Sequence, residues 1–95
     1  MNRRSESRLL LELPGSYLVA GRSEPVYFSQ LSANGCRLGT CALKEGQRIE
    51  LHLGPIGPLG ATVRWAGNNA VGVQFEVPLD AAVVSYFAGF VAKSA

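Results

Sequence analysis

Hydrophobic and polar residues alternate along most of the chain, and a period of two is typical of half-buried β-strands. The clearest example is the segment 47–53, in which Ile49, Leu51 and Leu53 are predicted to face a core. Shorter runs of the same kind are separated by residues that favour turns, such as Gly67 with the two asparagines after it. The predicted extended segments are residues 8–13, 17–20, 26–31, 36–38, 47–53, 61–66 and 71–75. Residues 17–20 are either a separate strand or the continuation of the first strand after a bulge.

Three stretches rich in glycine, proline or polar residues are predicted to interrupt the strands, because proline cannot donate to a sheet ladder and glycine weakens a strand. They are Pro14 with Gly15, the polar loop 21–25, and the irregular segment 54–60. In the strand after the last of these breaks, the alternation places Trp65 in the core and Arg64 on the solvated face. The strands are therefore expected to be short and joined by tight turns.

The last part of the chain predicts a helix over 81–91. Asp80 is expected to cap its N-terminus, and Val83, Phe87 and Val91 recur at a spacing of four on one face. The opposite face is also largely apolar, which leaves two interpretations: ordinary exposed apolar surface, or a face that docks on a second copy or another protein. Short strands followed by one helix indicate an all-β fold, a small antiparallel barrel with a C-terminal α-helix.

Size and composition narrow the classes of function. The 95 residues predict one domain, over 8–92, and a net charge of +2 is too small for a general binder of nucleic-acid polymers. No apolar run approaches the roughly 18 residues of a membrane span, and no signal-peptide core follows the basic N-terminus. We therefore expect no membrane association and a cytoplasmic location.

Cys36 and Cys41 lack a metal-site spacing, and no nucleophile–base or carboxylate pair is evident, so we expect a non-enzyme without a metal.

Two stretches carry candidate binding chemistry. Residues 1–7 are polar without a period and are predicted to form a flexible arm, at whose end Arg4 and Arg8 stand four apart. The second stretch, 29–38, reads SQLSANGCRL and predicts a strand that turns and then resumes. Gly35 in that turn is expected to take a positive φ and let a ligand approach the main chain.

Together these stretches resemble the PilZ family, whose members carry R-x-x-x-R on an N-terminal arm and [D/N]-x-S-x-x-G at the end of a barrel strand. Arg4 and Arg8 match the first motif, and Ser32 and Gly35 match the second, whereas Gln30 departs from its first position. The resemblance extends over nearly the whole chain. It implies a six-stranded antiparallel β-barrel with a C-terminal helix, acting as a receptor for the bacterial second messenger cyclic di-GMP.

The resemblance also implies roles for the arginines. Arg4 and Arg8 are expected to contact the phosphates and guanines of cyclic di-GMP, since a guanidinium meets either group with two hydrogen bonds. Arg3 is a further ligand-binding candidate, although it has no matched position in the family pattern.

In the second motif, Ser32 and Gly35 are expected to bring a hydroxyl group and open backbone to the ligand. The family residue at the first position bonds the amino and imino edge of a guanine. Gln30 carries an amide that accepts from a guanine amino group, but its side chain is one methylene longer than that of asparagine.

Two functions are consistent with these residues. In the first, cyclic di-GMP orders residues 1–7 against the barrel, and the changed surface engages a downstream effector protein. In the second, the chain is a nucleotide-independent interaction adaptor, which the departure at Gln30 and the apolar helix favour. The retained pair Arg4 and Arg8 favours the receptor. A homodimer formed through the C-terminal helix is a further expected partner arrangement.

Overall fold

The computed structural model describes residues 12–94 of the chain and the side chains of residues 12–88. Six strands are followed by one helix, so the all-β fold with a C-terminal helix is confirmed. In chain order the elements are β1 (Leu13–Val19), β2 (Arg22–Ser29), β3 (Gly35–Leu38), β4 (Arg48–Leu53), β5 (Ile56–Ala66), β6 (Val71–Phe75) and α1 (Ala81–Ser94).

The strands form a closed antiparallel barrel in the order β1-β2-β3-β6-β5-β4, and β4 pairs with β1 to complete it. Each of these six strands therefore has a neighbouring strand on both sides, although not always along its full length. Where a strand is regular, every second residue points inward, and Ile49, Leu51 and Leu53 are buried as their alternation predicts. The barrel interior therefore holds the core.

The helix α1 closes over this core with Phe87, which is 2% exposed. Its ring meets that of Phe28 edge to face, with the ring centroids 5.6 Å apart and the planes at 88°. The helix begins where predicted, after Asp80, whose carbonyl accepts hydrogen bonds from the amides of Val83 and Val84. It extends to Ser94, beyond the predicted end.

The predicted break at Pro14 and Gly15 is wrong, because both residues lie inside β1 and pair with β2. The second neighbour of β1, strand β4, pairs only from Ser16 onwards. Pro14 therefore lies where the strand lacks its second partner, and its missing amide hydrogen costs no ladder bond there.

The predicted loop 21–25 is also wrong, since β2 already begins at Arg22. The chain reverses in two residues, Ala20 and Gly21, whose φ angles of 52° and 78° are both positive. Positive φ at both central positions is the mark of the tight hairpin turn whose twist matches its strands. Alanine at the first of these positions is uncommon, so the sequence carried no clear sign of the turn.

The third predicted break, 54–60, is largely strand, because β5 starts at Ile56. The register of β5 against β4 shifts in this region: Leu51 faces Leu59, but Leu53 faces Ile56. Pro58 lies within this irregularity, where the ladder does not require its missing amide.

Candidate ligand-binding site

A cleft of about 270 Å³ lies on the outer surface of the three adjacent strands β3, β6 and β5. We call it the outer cleft. It contains the second-motif residues Gln30, Ser32 and Gly35, which the sequence predicted as ligand-binding, so the structure brings these three together. Its other polar and aromatic lining residues are Asn34, Arg37, Arg64, Trp65 and Gln74.

Strand register explains which side chains meet in the cleft. Gly35 on β3 pairs with Gln74 on β6, and Gln74 in turn pairs with Thr62 on β5. Two residues further along β3 and β6, Arg37 pairs with Gly72, and Gly72 pairs with Trp65. Since directly paired residues project from the same face of a sheet, these two rows lie side by side on the outer surface.

The turn between β2 and β3 is held by its own hydrogen bonds. The amide of Ser32 donates to the carbonyl of Gly35 at 3.0 Å. The Ser32 hydroxyl lies 3.5 Å from the same carbonyl and 3.4 Å from the amide of Asn34, which are long distances. Amides of Phe75 and Leu79 donate to the Asn34 and Ala33 carbonyls at 2.8 and 2.7 Å, so the turn is also tied to the end of β6. Short backbone hydrogen bonds therefore fix the position of the turn. The Ser32 hydroxyl forms only long hydrogen bonds, so replacing them with hydrogen bonds to a ligand would cost little.

Gly35 does not have the positive φ that its sequence context predicted. The described glycines with positive φ are Gly21, Gly46, Gly54 and Gly57. Instead, a Cβ atom at Gly35 would lie 2.1 Å from the carbonyl oxygen of Val73. The motif requires glycine at this position because β3 and β6 approach each other too closely for any side chain.

The positive φ in the motif belongs to Gln30, at 51°. A left-handed conformation is uncommon for a residue with a long side chain, but asparagine adopts it far more readily. Gln30 thus departs from the family pattern at a position where the backbone itself favours the short amide.

We expect Gln30→Asn to stabilise the domain by up to about 1 kcal/mol, because asparagine relieves the cost of the left-handed backbone. Thermal unfolding of the two proteins measures this effect. Gln30→Ala is the matched control, since it removes the side chain without favouring the left-handed conformation. Equal melting temperatures for the asparagine and alanine variants would contradict this expectation.

Trp65 is not in the core, contrary to the prediction from alternation, and is 49% exposed. Val63 pairs with Val73, yet Trp65 pairs with Gly72, so two steps along β5 match one step along β6. This bulge breaks the period of two, and Arg64 and Trp65 both lie on the outer surface, in the cleft.

The outer cleft has a positive electrostatic character. Arg37 and Arg64 line it, and none of its lining residues within 12–88 is a carboxylate. Neither arginine has an ion-pair partner within the described part of the chain. The nearby carboxylate of Glu76 is instead engaged by Arg48, whose hydrogen bond lowers the pKa of Glu76. Among the described residues, no carboxylate therefore forms an ion pair with either cleft arginine.

Cys36 forms part of the cleft lining and is 7% exposed. Burial raises the pKa of its thiol to about 12, so the group is neutral at physiological pH. Such burial is typical of a free cysteine that packs as a small apolar residue. Cys36 contributes apolar surface to the cleft and no reactive thiolate.

The arm candidates Arg3, Arg4 and Arg8 lie outside the described residues. The sequence did not predict Gln74 or Arg37 as cleft residues. In the structure each lies between two buried neighbours on its strand and so faces outward. The pattern of one strand does not reveal that β3 lies beside β6, because these two strands are not consecutive in the chain.

The fold and the cleft define a small closed β-barrel domain that presents a basic, partly aromatic surface beside the turn between β2 and β3. A family model of the PilZ domain matches residues 2–93, nearly the whole chain. The chain belongs to the PilZ domain family, a family of binding domains for cyclic di-GMP. A search of curated proteins found no match.

Two further observations concern the described residues. Their one helix is too short to cross a membrane. Their histidine, cysteine, aspartate and glutamate side chains form no group of three or more that could hold a metal ion.

Proposed function

We propose that this domain is a cyclic di-GMP receptor, which binds the nucleotide between the outer cleft and residues 1–7. The observation that supports this most strongly is the pair Arg37 and Arg64, which line the cleft and have no carboxylate partner among the residues that the structure describes. Two phosphodiester groups make the ligand a dianion, and charge-assisted hydrogen bonds from guanidinium groups are the strong way to hold it.

The remaining lining residues suit the bases of this ligand. An exposed indole such as that of Trp65 offers a flat surface on which a base can stack. The amides of Gln30, Asn34 and Gln74 supply donors and acceptors for the polar edges of guanine. The arginines of the cleft therefore suit the two phosphates of the dinucleotide, and Trp65 and the amides suit its two guanine bases.

In this proposal Arg4 and Arg8 complete the site from the N-terminal side. They contact the phosphates and guanine O6 and N7 atoms, with Arg3 as a further contact. Ordering of residues 1–7 on the ligand changes the domain surface, and that change is read by a downstream effector protein in the cytoplasm. No chemical transformation of the ligand is part of the proposal, which describes a receptor and not an enzyme.

Arg64→Ala tests the contribution of the cleft. Loss of a charge-assisted hydrogen bond is worth about 1.5–3 kcal/mol, so we expect a roughly 10- to 150-fold weaker affinity for cyclic di-GMP. Arg22→Ala is the matched control, because Arg22 is an exposed arginine outside this cleft with Glu24 beside it. Fluorescence of Trp65, the single tryptophan of the chain, reports binding during the titration. Equal affinities for the two variants would exclude Arg64 from the site.

A nucleotide-independent adaptor is the second candidate function. Val77 and Tyr86, which precede and belong to α1, are 74% and 47% exposed, and exposed apolar side chains are common in protein interfaces. Under this function the helix would contact an effector or a second copy without the nucleotide. Cyclic di-GMP would then change neither Trp65 fluorescence nor the melting temperature, whereas the receptor requires both to change.

A further inference from the structure

Gly72 lies at a position of β6 where a side chain would point to the outer surface, yet it is buried. The indole of Trp65 covers it from the neighbouring strand β5. A Cβ atom at Gly72 would lie 2.0 Å from Nε1 of Trp65, 2.3 Å from Cε2 and 2.7 Å from Cδ1. All three atoms belong to the five-membered ring, so this ring lies directly on the glycine backbone.

This approach is specific to Gly72. Gly67 also lies beside the indole, but a Cβ atom there would be 3.6 Å from Cζ3, an ordinary van der Waals distance. At Gly72 the atoms that a Cβ would meet all belong to the rigid indole ring of Trp65, which cannot bend away from it. The indole must move if Gly72 gains a side chain.

The strand register shows where the indole lies relative to the rest of the cleft. Arg37, Gly72 and Trp65 form one row across β3, β6 and β5, and the central residue lacks a side chain. The bulge at Arg64 turns the indole to the outer surface, and the bare backbone at Gly72 lets it lie across the ladder. The aromatic surface is thereby held in the row that also carries a cleft arginine.

We propose that Gly72 is a positioning residue for ligand binding, which fixes the Trp65 indole as one wall of the outer cleft. The consequence for affinity rests on the proposed function, whereas the position of the indole does not. A side chain at Gly72 displaces the indole from the backbone of β6. The displaced ring no longer offers its surface to a base at the required place.

Gly72→Ala is the direct test, with Gly39→Ala as the matched control. A Cβ atom at Gly39 meets only the Tyr27 carbonyl, at 3.8 Å, and Gly39 lies outside the cleft lining. In the ligand-free protein we expect Gly72→Ala to shift the Trp65 emission to longer wavelength and to increase its quenching by acrylamide. The control should keep the wild-type emission. Wild-type emission and quenching in Gly72→Ala would overturn the proposal.

Binding is measured on the same proteins. Cyclic di-GMP should bind Gly72→Ala about 5- to 150-fold more weakly, the range for loss of one base–aromatic stack. In a Trp65→Ala background the same glycine change should have little further effect, because the residue that it positions is gone. An equal loss in both backgrounds would show that Gly72 acts through another contact and would overturn the positioning role.

Misfolding of Gly72→Ala and failure of the receptor function can each be told apart from failure of the positioning role. If Gly72→Ala does not fold, the double variant with Trp65→Ala should fold, since it removes the atoms that collide, and failure of the double variant would overturn the proposal. If the wild-type protein binds no cyclic di-GMP, the receptor function fails. The emission and quenching comparison then still decides whether Gly72 positions the indole.

Discussion

Gly35→Ala is expected to destabilise the domain by about 3 kcal/mol, the upper part of the range for overpacking a well-packed site. The added Cβ atom would lie 2.1 Å from the Val73 carbonyl oxygen, and backbone cannot rotate away as a side chain can. Strands β3 and β6 would have to separate at the turn that carries the second motif. For a domain of this size the cost corresponds to a fall in melting temperature of roughly 12–24 °C.

Thermal unfolding followed by circular dichroism measures this change, and Gly39→Ala is again the control with space for its methyl group. The control should melt within a few degrees of the wild type. A Gly35→Ala protein as stable as the control would show that β3 and β6 have room for a side chain. The result also matters for binding studies, because a Gly35 variant that fails to bind reports lost structure and not a lost ligand contact.

Arg8→Ala is expected to weaken cyclic di-GMP binding by roughly 10- to 150-fold without lowering the melting temperature. The reason is chemical: a guanidinium forms two parallel hydrogen bonds with a phosphate or with a guanine edge, and alanine forms none. Arg4→Ala should behave in the same way. Arg4 precedes the predicted strand 8–13 and Arg8 is its charged first residue, so neither is expected to contribute to the core.

Isothermal titration of each variant measures the affinity, and Arg8→Lys is the informative companion. Lysine keeps the charge but loses the planar fork, so it should restore only part of the affinity. Arg22→Ala, with the same loss of charge on β2, should bind as the wild type does. If Arg8→Ala unfolds the domain, Arg8 is structural and its assignment to the ligand is wrong.

The sequence was most informative where a strand has a regular partner on each side. The alternation in β4 correctly placed Ile49, Leu51 and Leu53 in the core, because an uninterrupted pleat has a strict period of two. The same rule failed at Trp65, where a bulge adds one residue to β5. A bulge is a property of the pairing between two strands, so one strand's pattern does not reveal it.

The predicted strand breaks at Pro14 and Pro58 were wrong for a related reason. Pro14 and Pro58 both lie in strands, at places where a partner is absent or the register shifts. The cost of a proline depends on whether its neighbour needs a hydrogen-bond donor at that point, and this depends on the assembled sheet.

The site was partly predictable. Ser32 and Gly35 were found because their motif is contiguous in the chain, and the turn that they form is local. Arg37, Arg64 and Gln74 come from three strands whose neighbourhood is set by the barrel order, and no local pattern contains that order. The role of Gly35 also came only from the fold, since the close approach to Val73 joins strands far apart in sequence.

The most direct test of the receptor function is isothermal titration of cyclic di-GMP into the purified 95-residue chain, with GTP and cyclic di-AMP as controls. We predict saturable binding of cyclic di-GMP that is strongly reduced in Arg8→Ala and Arg64→Ala and is not reproduced by the two control nucleotides. Absence of binding heat, together with an unchanged melting temperature at high ligand concentration, would contradict the receptor function and favour the nucleotide-independent adaptor.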